Sequence, residues 1–394
     1  MPCLNEVKTL GVCIEKAQAC MAREGIRGEI VIADNGSTDG SQELAERLGA
    51  RLVHVEERGY GSALYWGITA AKGRFVIMGD SDDSYDFSNM LPIVEQLRAG
   101  HDLVMGNRFH GGIEAGAMPA MHRYFGNPLL TLIGRVFFRT SCGDFYCGQR
   151  GFTKDAFNRM QLRSGGMEFA LEMLVKATML GMKVTEVPVT LSPDGRDRAP
   201  HLRRWRDGWR SLRFYLLYSP KWLFLYPGLV LMLLGLATLL VGGHTEGGGE
   251  STRWGPVILI LAATAVISGS QMVAFSILGK VGAIATGLHP QPQTGLLDSL
   301  LRRIHLEKGL LAGALIFLIG LVPAALTVAG WASGDLSRIQ TLQRVIPALV
   351  VGGFGFQVMG GSFLLALMKL PLTTRKYGAS SDGRYIDRRI SVQG

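Results

Sequence analysis

The sequence predicts an α/β domain built on a mainly parallel sheet, followed by an α-helical membrane domain of four spans. Three observations carry this prediction. Short apolar, β-branched runs alternate with helical stretches through the first half of the chain. Four long apolar runs without charges fill the second half, and Lys and Arg gather on alternate sides of them. The chain has 394 residues, a length that suits two or three units, and its composition changes near residue 222.

Each element follows in order. "EIVIADNGSTDGSQELAERLG" reads as a strand over Ile30–Ala33, a polar turn over Asp34–Gly40, and a helix to about Leu48 capped by Ser41 or Asp39. "RLVHVEE" is a second strand, and "GYGSALYWGITAAKG" is a helix entered through two glycines. "RFVIMGD" is a third strand, followed by a helix around Asn89–Arg98 and a strand "DLVMGN". "EMLVKATMLGMKVTEVPVTL" supplies a further helix and a strand that closes the sheet. On one helical face of it, Glu168 and Glu172 line a ligand-facing side or a solvated one. Ligands of such sheets bind outside the carboxyl ends of the strands, so the acidic turns Asp34–Asp39 and Asp80–Asp86 fall on one rim.

The stretch "FVIMGDSDDSYDF" concentrates Asp80, Asp82, Asp83 and Asp86 behind an apolar strand. Asp80 and Asp82, two apart on what reads as a surface turn, can share one hard cation, Mg2+ or Mn2+. Such an ion brings a phosphorylated substrate with it. Asp86 equally suits a helix N-terminus, and Asp83 a solvated turn.

The four apolar runs cover about 223–241, 256–278, 309–329 and 345–368, and a spanning helix needs ~20 residues. Basic residues crowd the segment before the first run, the loop between the second and third, and the tail. That asymmetry puts the first domain and both termini in the cytosol, across a cytoplasmic (inner) membrane crossed several times. No signal peptide stands ahead of the domain. The predicted organisation is a cytosolic domain over 1–200, an interfacial amphipathic helix over 201–221, a membrane domain over 222–370 and a basic tail over 371–394. Trp205, Trp209, Tyr215 and Trp222 form an aromatic belt on the interfacial helix. The net charge of +9 reads as attraction to lipid headgroups rather than to nucleic acid. The five cysteines, an odd number without CxxC spacing, read as reduced thiols. The runs hold almost no ionisable residue, which opposes a transport pathway. Gly352, Gly353, Gly355, Gly360 and Gly361 predict close helix packing.

Several motifs in order, "MPCLNE", "VIADNGSTDGS", "GYGSALYWGITAAKG", "MGDSDD", "GNRF" and "DFYCGQRGF", together resemble the family 2 glycosyltransferases of the Rossmann-like GT-A fold. Within it they look most like the polyprenyl- or dolichyl-phosphate mannose or glucose synthases. The resemblance covers about residues 1–200. It implies inverting transfer of a hexose from a nucleotide-diphosphate sugar, UDP-glucose or GDP-mannose, to a polyprenyl phosphate (dolichyl or undecaprenyl phosphate). It further implies a divalent cation on Asp80 and Asp82. Carried over by position, Pro2, Asn5 and Glu6 match the first donor motif. Asp34 and Ser37 match the turn for base and ribose, Asp80 and Asp82 the metal and diphosphate motif, and Arg108 the arginine of a G-x-R segment. Arg123 and Asn127 resemble the next pair, on a helix near the membrane face. Asp144, Gly148 and Arg150 match a D-x-x-x-G-x-R segment, with Asp82, Asp144 and Arg150 implied in catalysis and the last two facing sugar or acceptor. In "SPDGRDRAPHLRRW", Arg196, Arg198, His201, Arg203 and Arg204 offer cations to an acceptor phosphate, or form an ordinary polybasic flank.

The sequence departs from the family in three respects. A full strand usually precedes the P-x-x-N-E motif, which here begins at residue 2; a missing central strand would leave its neighbours unpaired, so the natural start is expected upstream. "HLRRW" carries His201 where processive synthases have Gln. Four spans exceed the number in some relatives. The alternatives are a processive, polysaccharide-extending enzyme, or a non-enzymatic lipid-linked-sugar flippase or scaffold. The sequence leaves open the donor, the length of the lipid and whether the protein forms a homo-oligomer.

Overall fold

The computed structural model describes residues 1–195, 204–242, 255–290 and 306–369, with two-residue strands at Tyr377–Gly378 and Ile386–Asp387. The chain divides into two compact units, residues 1–223 with 286–293, and residues 224–285 with 294–394.

The first unit begins with β1 (Pro2–Cys3) and α1 (Val7–Arg23). The sequence-predicted elements omit α1, yet Leu10, Cys13, Ile14, Ala17 and Cys20 recur at helical spacing and are all buried. Next come β2 (Val31–Asp34), α2 (Ser41–Arg47), β3 (Arg51–His54) and α3 (Tyr60–Ala70). The cap of α2 is Gly40 rather than Ser41 or Asp39. Asp39 instead accepts from the backbone N of both Val7 and Ser41, fastening the starts of α1 and α2 together. β4 (Phe75–Met78), α4 (Leu91–Arg98), β5 (Leu103–Asn107), the short α5 (Arg108–Gly111) and α6 (Asn127–Phe138) follow. The unit continues through β6 (Arg150–Thr153), α7 (Lys154–Met160), α8 (Glu168–Met179), β7 (Val184–Pro188) and α9 (Arg204–Tyr218).

The strands form two hydrogen-bonded groups, β1-β2-β3 and β4-β6-β5-β7. Pairs β1–β2, β2–β3 and β5–β7 are parallel, whereas β6 runs antiparallel to both β4 and β5. The sheet is therefore mainly parallel, with helices covering the strands as crossover connections require. All parallel strands deliver their carboxyl ends to one rim. β7 closes the edge beside β5.

The core beneath that rim is aromatic and sulfur-rich: Met78, Met105, Phe145, Phe152, Phe169 and Met173 are buried together. Tyr215 belongs to it, which corrects its predicted place in an aromatic belt. It is fully buried, meets Phe145 edge-on, and its hydroxyl lies 3.0 Å from that of Tyr146. Trp209, by contrast, is 60% exposed. An α9 that keeps Tyr215 and Tyr218 in the core is anchored to this unit by one face.

Glu172 neither lines a ligand-facing side nor a solvated one. It is fully buried, pairs with Lys176 at 2.8 Å, and accepts from the backbone N of Arg163 and Ser164 and from Tyr218 Oη. Lys176 also donates to Gln161 O at 2.7 Å, so the pair holds the 161–164 turn. Glu168 instead pairs with Arg210 of α9 at 2.9 Å.

The second unit carries helices long and apolar enough to cross a membrane. With the end of the first unit, these are Lys221–Val241, Gly255–Ala285, Leu306–Ala332 and Arg338–Met368. They outrun the apolar stretches because helix continues into the polar flanks. The third and fourth pack through glycines: a Cβ on Gly320 would meet Gly352 N at 2.2 Å, and one on Gly355 would meet Phe317 N at 2.3 Å. Gly360 and Gly361 face nothing within 4 Å, so of the predicted packing glycines these two have no such role, whereas Gly313 and Gly320 do. Ser270 and Gln357 join the second and fourth helices through a 2.6 Å hydrogen bond.

Burial alone would raise the Glu172 carboxyl, but Lys176 and the two backbone N–H groups hold it below the ordinary range. The folded value lies below the unfolded one. The stabilisation is therefore complete above the usual glutamate value of ~4.3 and is lost as pH falls through the lowered value. Lys176→Met is expected to cost about 3–5 kcal/mol by leaving an unpaired buried charge. Thermal melting of the detergent-solubilised protein checks this, and Lys176→Met with Glu172→Gln should melt higher than Lys176→Met alone.

Candidate active site

The rim is organised by two interlocked turns. After β1 the chain makes a sharp turn in which Asn5 takes a left-handed conformation, φ 59°. Its side-chain Oδ1 accepts from Thr38 N, and its backbone N donates to Ser37 Oγ, each at 2.8 Å. Glu6 N donates to Ser41 Oγ at 3.0 Å. Asp34, at the carboxyl end of β2, accepts from the backbone N of Gly36 and Ser37 at 3.0 Å and from Gln42 Nε2 at 2.8 Å. Pro2, Asn5, Glu6, Asp34 and Ser37 thus meet in one cradle. Asp34 and Ser37 are buried and spend these contacts on shaping the turn.

The second turn carries the four aspartates. Asp80 is half-buried, and its Oδ1 accepts from Tyr60 Oη at 2.9 Å. Asp82 is only 6% exposed and accepts from the backbone N and the hydroxyl of Ser84 at 3.1 and 2.6 Å. The prediction of a surface turn is corrected for this residue: a short serine two positions on folds the turn over it. Asp83 takes a left-handed φ of 62° and pairs with Lys16 at 2.7 Å, so it is not simply solvated. Asp86 accepts from Ser88 N and caps a single helical turn at Phe87–Asn89. Ser81 ties the two turns together. Its hydroxyl donates to Pro2 O, and its carbonyl accepts from Thr9 Oγ1, both at 2.7 Å.

Behind Asp80 lies the segment 142–150. Gly148 approaches so closely that a Cβ there would sit 2.8 Å from Asp80 Oδ2 and 3.0 Å from the Tyr85 ring. Gly148 N donates to Tyr85 Oη at 2.7 Å. Asp144 is fully buried and holds Arg108 through its backbone N, Nε and Nη2 at 2.7–3.1 Å. Arg150 is fully buried too. It donates to Ala170 O at 2.6 Å and to Cys147 O, while its Nε has no hydrogen-bond partner. Neither Asp144 nor Arg150 presents a polar atom to solvent. Glu186 of β7, absent from the sequence-predicted set, accepts at one oxygen from the backbone N of Gly143 and Asp144, at 2.8 and 3.2 Å, and from Cys142 Sγ. Its cross-strand place beside Met105, which lets it reach this turn, has no signature in local spacing.

Arg123 sits apart, in the wide turn His122–Gly126. Its guanidinium lies 5.5 Å over the Tyr124 ring and donates to Ile113 O at 3.3 Å. Around it Tyr124 and Phe125, and on α6 Leu132 and Val136, are exposed. Asn127 begins α6. Arg196, Arg198, His201 and Arg203 lie outside the described residues, and of Arg204 only its place at the start of α9 is described.

Residues 1–160 match the model of glycosyl transferase family 2, and residues 277–369 match that of the glycosyltransferase family 2 C-terminal transmembrane region. The low-salt glycan biosynthesis hexosyltransferase Agl6 of Haloferax volcanii is 34% identical over 93% of this chain and 87% of its own length. The chain belongs to glycosyltransferase family 2. A dolichyl-phosphate hexose transferase of Haloferax volcanii is 28% identical over 41% of this chain and 69% of its own length. A glucosyl-3-phosphoglycerate synthase from Mycobacterium tuberculosis, solved with Mn2+ and UDP-Glc, is similar at 22% identity and a TM-score of 0.43, over 55% of this chain and 76% of that one. The family and the transmembrane-region match, with four helices long and apolar enough to cross a bilayer, make the protein a membrane glycosyltransferase.

Among the described residues no cluster of three or more His, Cys, Asp or Glu could hold a metal. Two neighbouring carboxylates on one turn fit a small hard cation all the same. Mg2+ keeps several waters and takes one or two carboxylates, with substrate phosphates completing its shell. Asp80, half-buried, and Asp82, buried two residues on in the same turn, are the carboxylates that would hold such an ion.

Gly148→Ala tests the geometry. The added methyl group meets the Asp80 carboxylate and, less closely, the buried Tyr85 ring, and the partly exposed carboxylate is the end freer to move. Transfer is expected to fall roughly 100-fold, the scale of a 1 Å misplacement, with little change in melting temperature. Wild-type turnover would mean that the position of Asp80 does not matter.

Proposed function

We propose that this glycosyltransferase moves a hexose from a nucleotide-diphosphate sugar to a polyprenyl phosphate, with inversion, at the cytosolic face of the membrane. The observation that carries the proposal is the Asp80 turn, tied through Ser81 to the Pro2–Glu6 loop and backed by Gly148. The resemblance of the motifs, and the kinship with a dolichyl-phosphate hexose transferase, support the lipid acceptor. So does the exposed apolar face around Arg123, which suits a lipid surface.

In this mechanism the Asp34 turn receives base and ribose, and Asp80 and Asp82 hold a divalent ion. When bound there, such an ion would supply charge neutralisation for a diphosphate leaving group. The acceptor needs little activation, because the second pKa of a phosphate monoester is ~6 and the dianion prevails at neutral pH. The protein's task is then to position two reactants and compensate charge. Asp144 acts by orienting Arg108 toward the donor side. With every oxygen engaged behind the rim, it is a positioning residue, not a base. Arg150 places positive charge beneath Tyr60 and Asp80. Arg123, Arg196, Arg198, His201 and Arg204 supply cations to the acceptor phosphate.

Purified protein given labelled nucleotide sugars, undecaprenyl or dolichyl phosphate and Mg2+ or Mn2+ should form a lipid-phosphate sugar. Asp80→Asn and chelation should each abolish it. Arg198→Ala and Arg204→Ala should each raise the apparent KM for the lipid roughly 10- to 150-fold, as loss of a ~1.5–3 kcal/mol charged hydrogen bond requires. Donor affinity by calorimetry should stay unchanged. Elongation of a glycan independent of added lipid phosphate would contradict the proposal, and so would the absence of any nucleotide-sugar turnover.

For sidedness, a cysteine placed among residues 243–250 should be labelled from outside intact cells, and one among residues 378–383 should not. The reverse pattern would put the site away from cytosolic sugar nucleotides.

A further inference from the structure

Helix α3, which carries Tyr60, begins without a side-chain cap of its own. The first N–H groups of a helix need partners from outside it, and a Ser, Thr, Asp or Asn at the cap position ordinarily supplies one. Here two distant elements do so. Asn35 Oδ1 accepts from Gly59 N at 2.7 Å, and Gly165 O accepts from Ser62 N at 3.1 Å. The second contact is close. A Cβ on Gly59 would overlap Gly165 O, and one on Gly61 would overlap Ser164 O and stand 2.7 Å from Gly166 O. Glycine at these two positions lets the backbone of residues 164–166 lie directly on the first turn of α3, with Tyr60 between them. Burial, and then the charge of Asp80, push the Tyr60 pKa well above the ordinary tyrosine value, so Tyr60 keeps the proton that it donates to Asp80 Oδ1.

The capping turn is itself held by the buried ion pair of α8. Glu172 accepts from Arg163 N at 3.0 Å and Ser164 N at 2.8 Å, and Lys176 donates to Gln161 O at 2.7 Å. Gln161 takes a left-handed φ of 48°, uncommon for a residue with a side chain, and the Lys176 bond fixes that residue's carbonyl. Gly166 O accepts from Phe169 N at 3.2 Å, so one turn caps α3 with one carbonyl and α8 with the next. Apolar side chains of similar size commonly stabilise a core as well as a buried ion pair does. They could not hold the backbone groups of Gln161, Arg163 and Ser164 in place.

We propose that Glu172 and Lys176 are positioning residues for the acidic site: through the 161–166 turn they set the start of α3, and through Tyr60 they set the Asp80 carboxylate. The path is contiguous, from the pair to the turn, from Gly165 O to Ser62 N, and from Tyr60 Oη to Asp80. α9 joins it at the far end, where Tyr218 Oη donates to Glu172 at 3.0 Å. The proposal rests on the reading of Asp80 as a carboxylate that holds the divalent ion.

The test is titration of Mn2+ in the presence of UDP, followed by electron paramagnetic resonance on the intact protein in detergent. Asp80→Asn checks the reading of the site by itself: bound Mn2+ retained there would refute that reading, whatever the other variants do. With Asp80 intact, Tyr60→Phe should weaken Mn2+ binding roughly tenfold, the scale of one charged hydrogen bond. Glu172→Gln combined with Lys176→Met leaves no unpaired charge, and Gly61→Ala wedges the turn off α3. Each should weaken Mn2+ binding about threefold or more while the protein still melts cooperatively. Neither should weaken it further once Tyr60→Phe is present, because both act through that hydroxyl. Either carries the test without the other. Losses that add to that of Tyr60→Phe would overturn the proposal, and so would wild-type Mn2+ affinity in the protein with Glu172→Gln and Lys176→Met.

Discussion

The site depends on how one acidic turn is held. Asp80 is gripped by Tyr60 from α3 and crowded by Gly148 from the segment before β6. Ser81 binds backward to Pro2 and accepts from Thr9 of α1. The turn's far end is fastened as well, since Ser84 O accepts from Ser192 N and Asp82 O from Gly195 N. Four aspartates within seven residues repel one another. This turn offsets the repulsion by giving each a separate partner: Tyr60, Ser84, Lys16 and Ser88. Asp80, Asp83 and Asp86 stay partly exposed, whereas Asp82 is buried. The neighbouring negative charges can thus stand together on one turn.

Much of this was legible in the sequence, and the limits have physical causes. The strand–turn–helix rhythm of residues 29–107 is local, and the elements appear where the apolar runs and glycines stand. The shared rim of the Asp34–Asp39 and Asp80–Asp86 turns was legible from their places after strands; the interlocking of the Asn5 and Asp34 turns was not. The antiparallel course of β6 was not, because "RGFT" is four residues long and its direction is decided by the partners on either side. Helix α1 was passed over although its apolar spacing is regular; its cysteines and alanines bury well but signal weakly. The surroundings of Asp144, Arg150 and Glu172 arise from contacts between residues far apart in the chain, which no spacing rule reports. The same holds for Glu186 and for Tyr215, whose belt-like setting among basic residues conceals a place in the core.

The buried charges of the first unit follow one pattern. Arg108 is matched by Asp144 and Lys176 by Glu172, whereas Arg150 leans on backbone carbonyls and stands near Asp80 and Tyr60. Two of the three arginine and lysine groups therefore pair with carboxylates, and the third is held by the backbone carbonyls of Ala170 and Cys147. The second unit is built on the opposite principle. Its helices approach through glycine, and Gln357 joins the second and fourth, accepting from Ser270 Oγ at 2.6 Å and donating to Ile267 O at 3.3 Å. A membrane part of this kind suits an anchor.

The central claim is that Asp80, as Tyr60 and Gly148 hold it, is where a divalent ion and a nucleoside diphosphate come together. Electron paramagnetic resonance of Mn2+ measures this directly. Added UDP or GDP should shift free Mn2+ into a protein-bound signal in the wild-type protein. The signal should be lost in Asp80→Asn and weakened in Tyr60→Phe, with the fold retained in both. A bound Mn2+ signal of unchanged strength in Asp80→Asn would contradict the account.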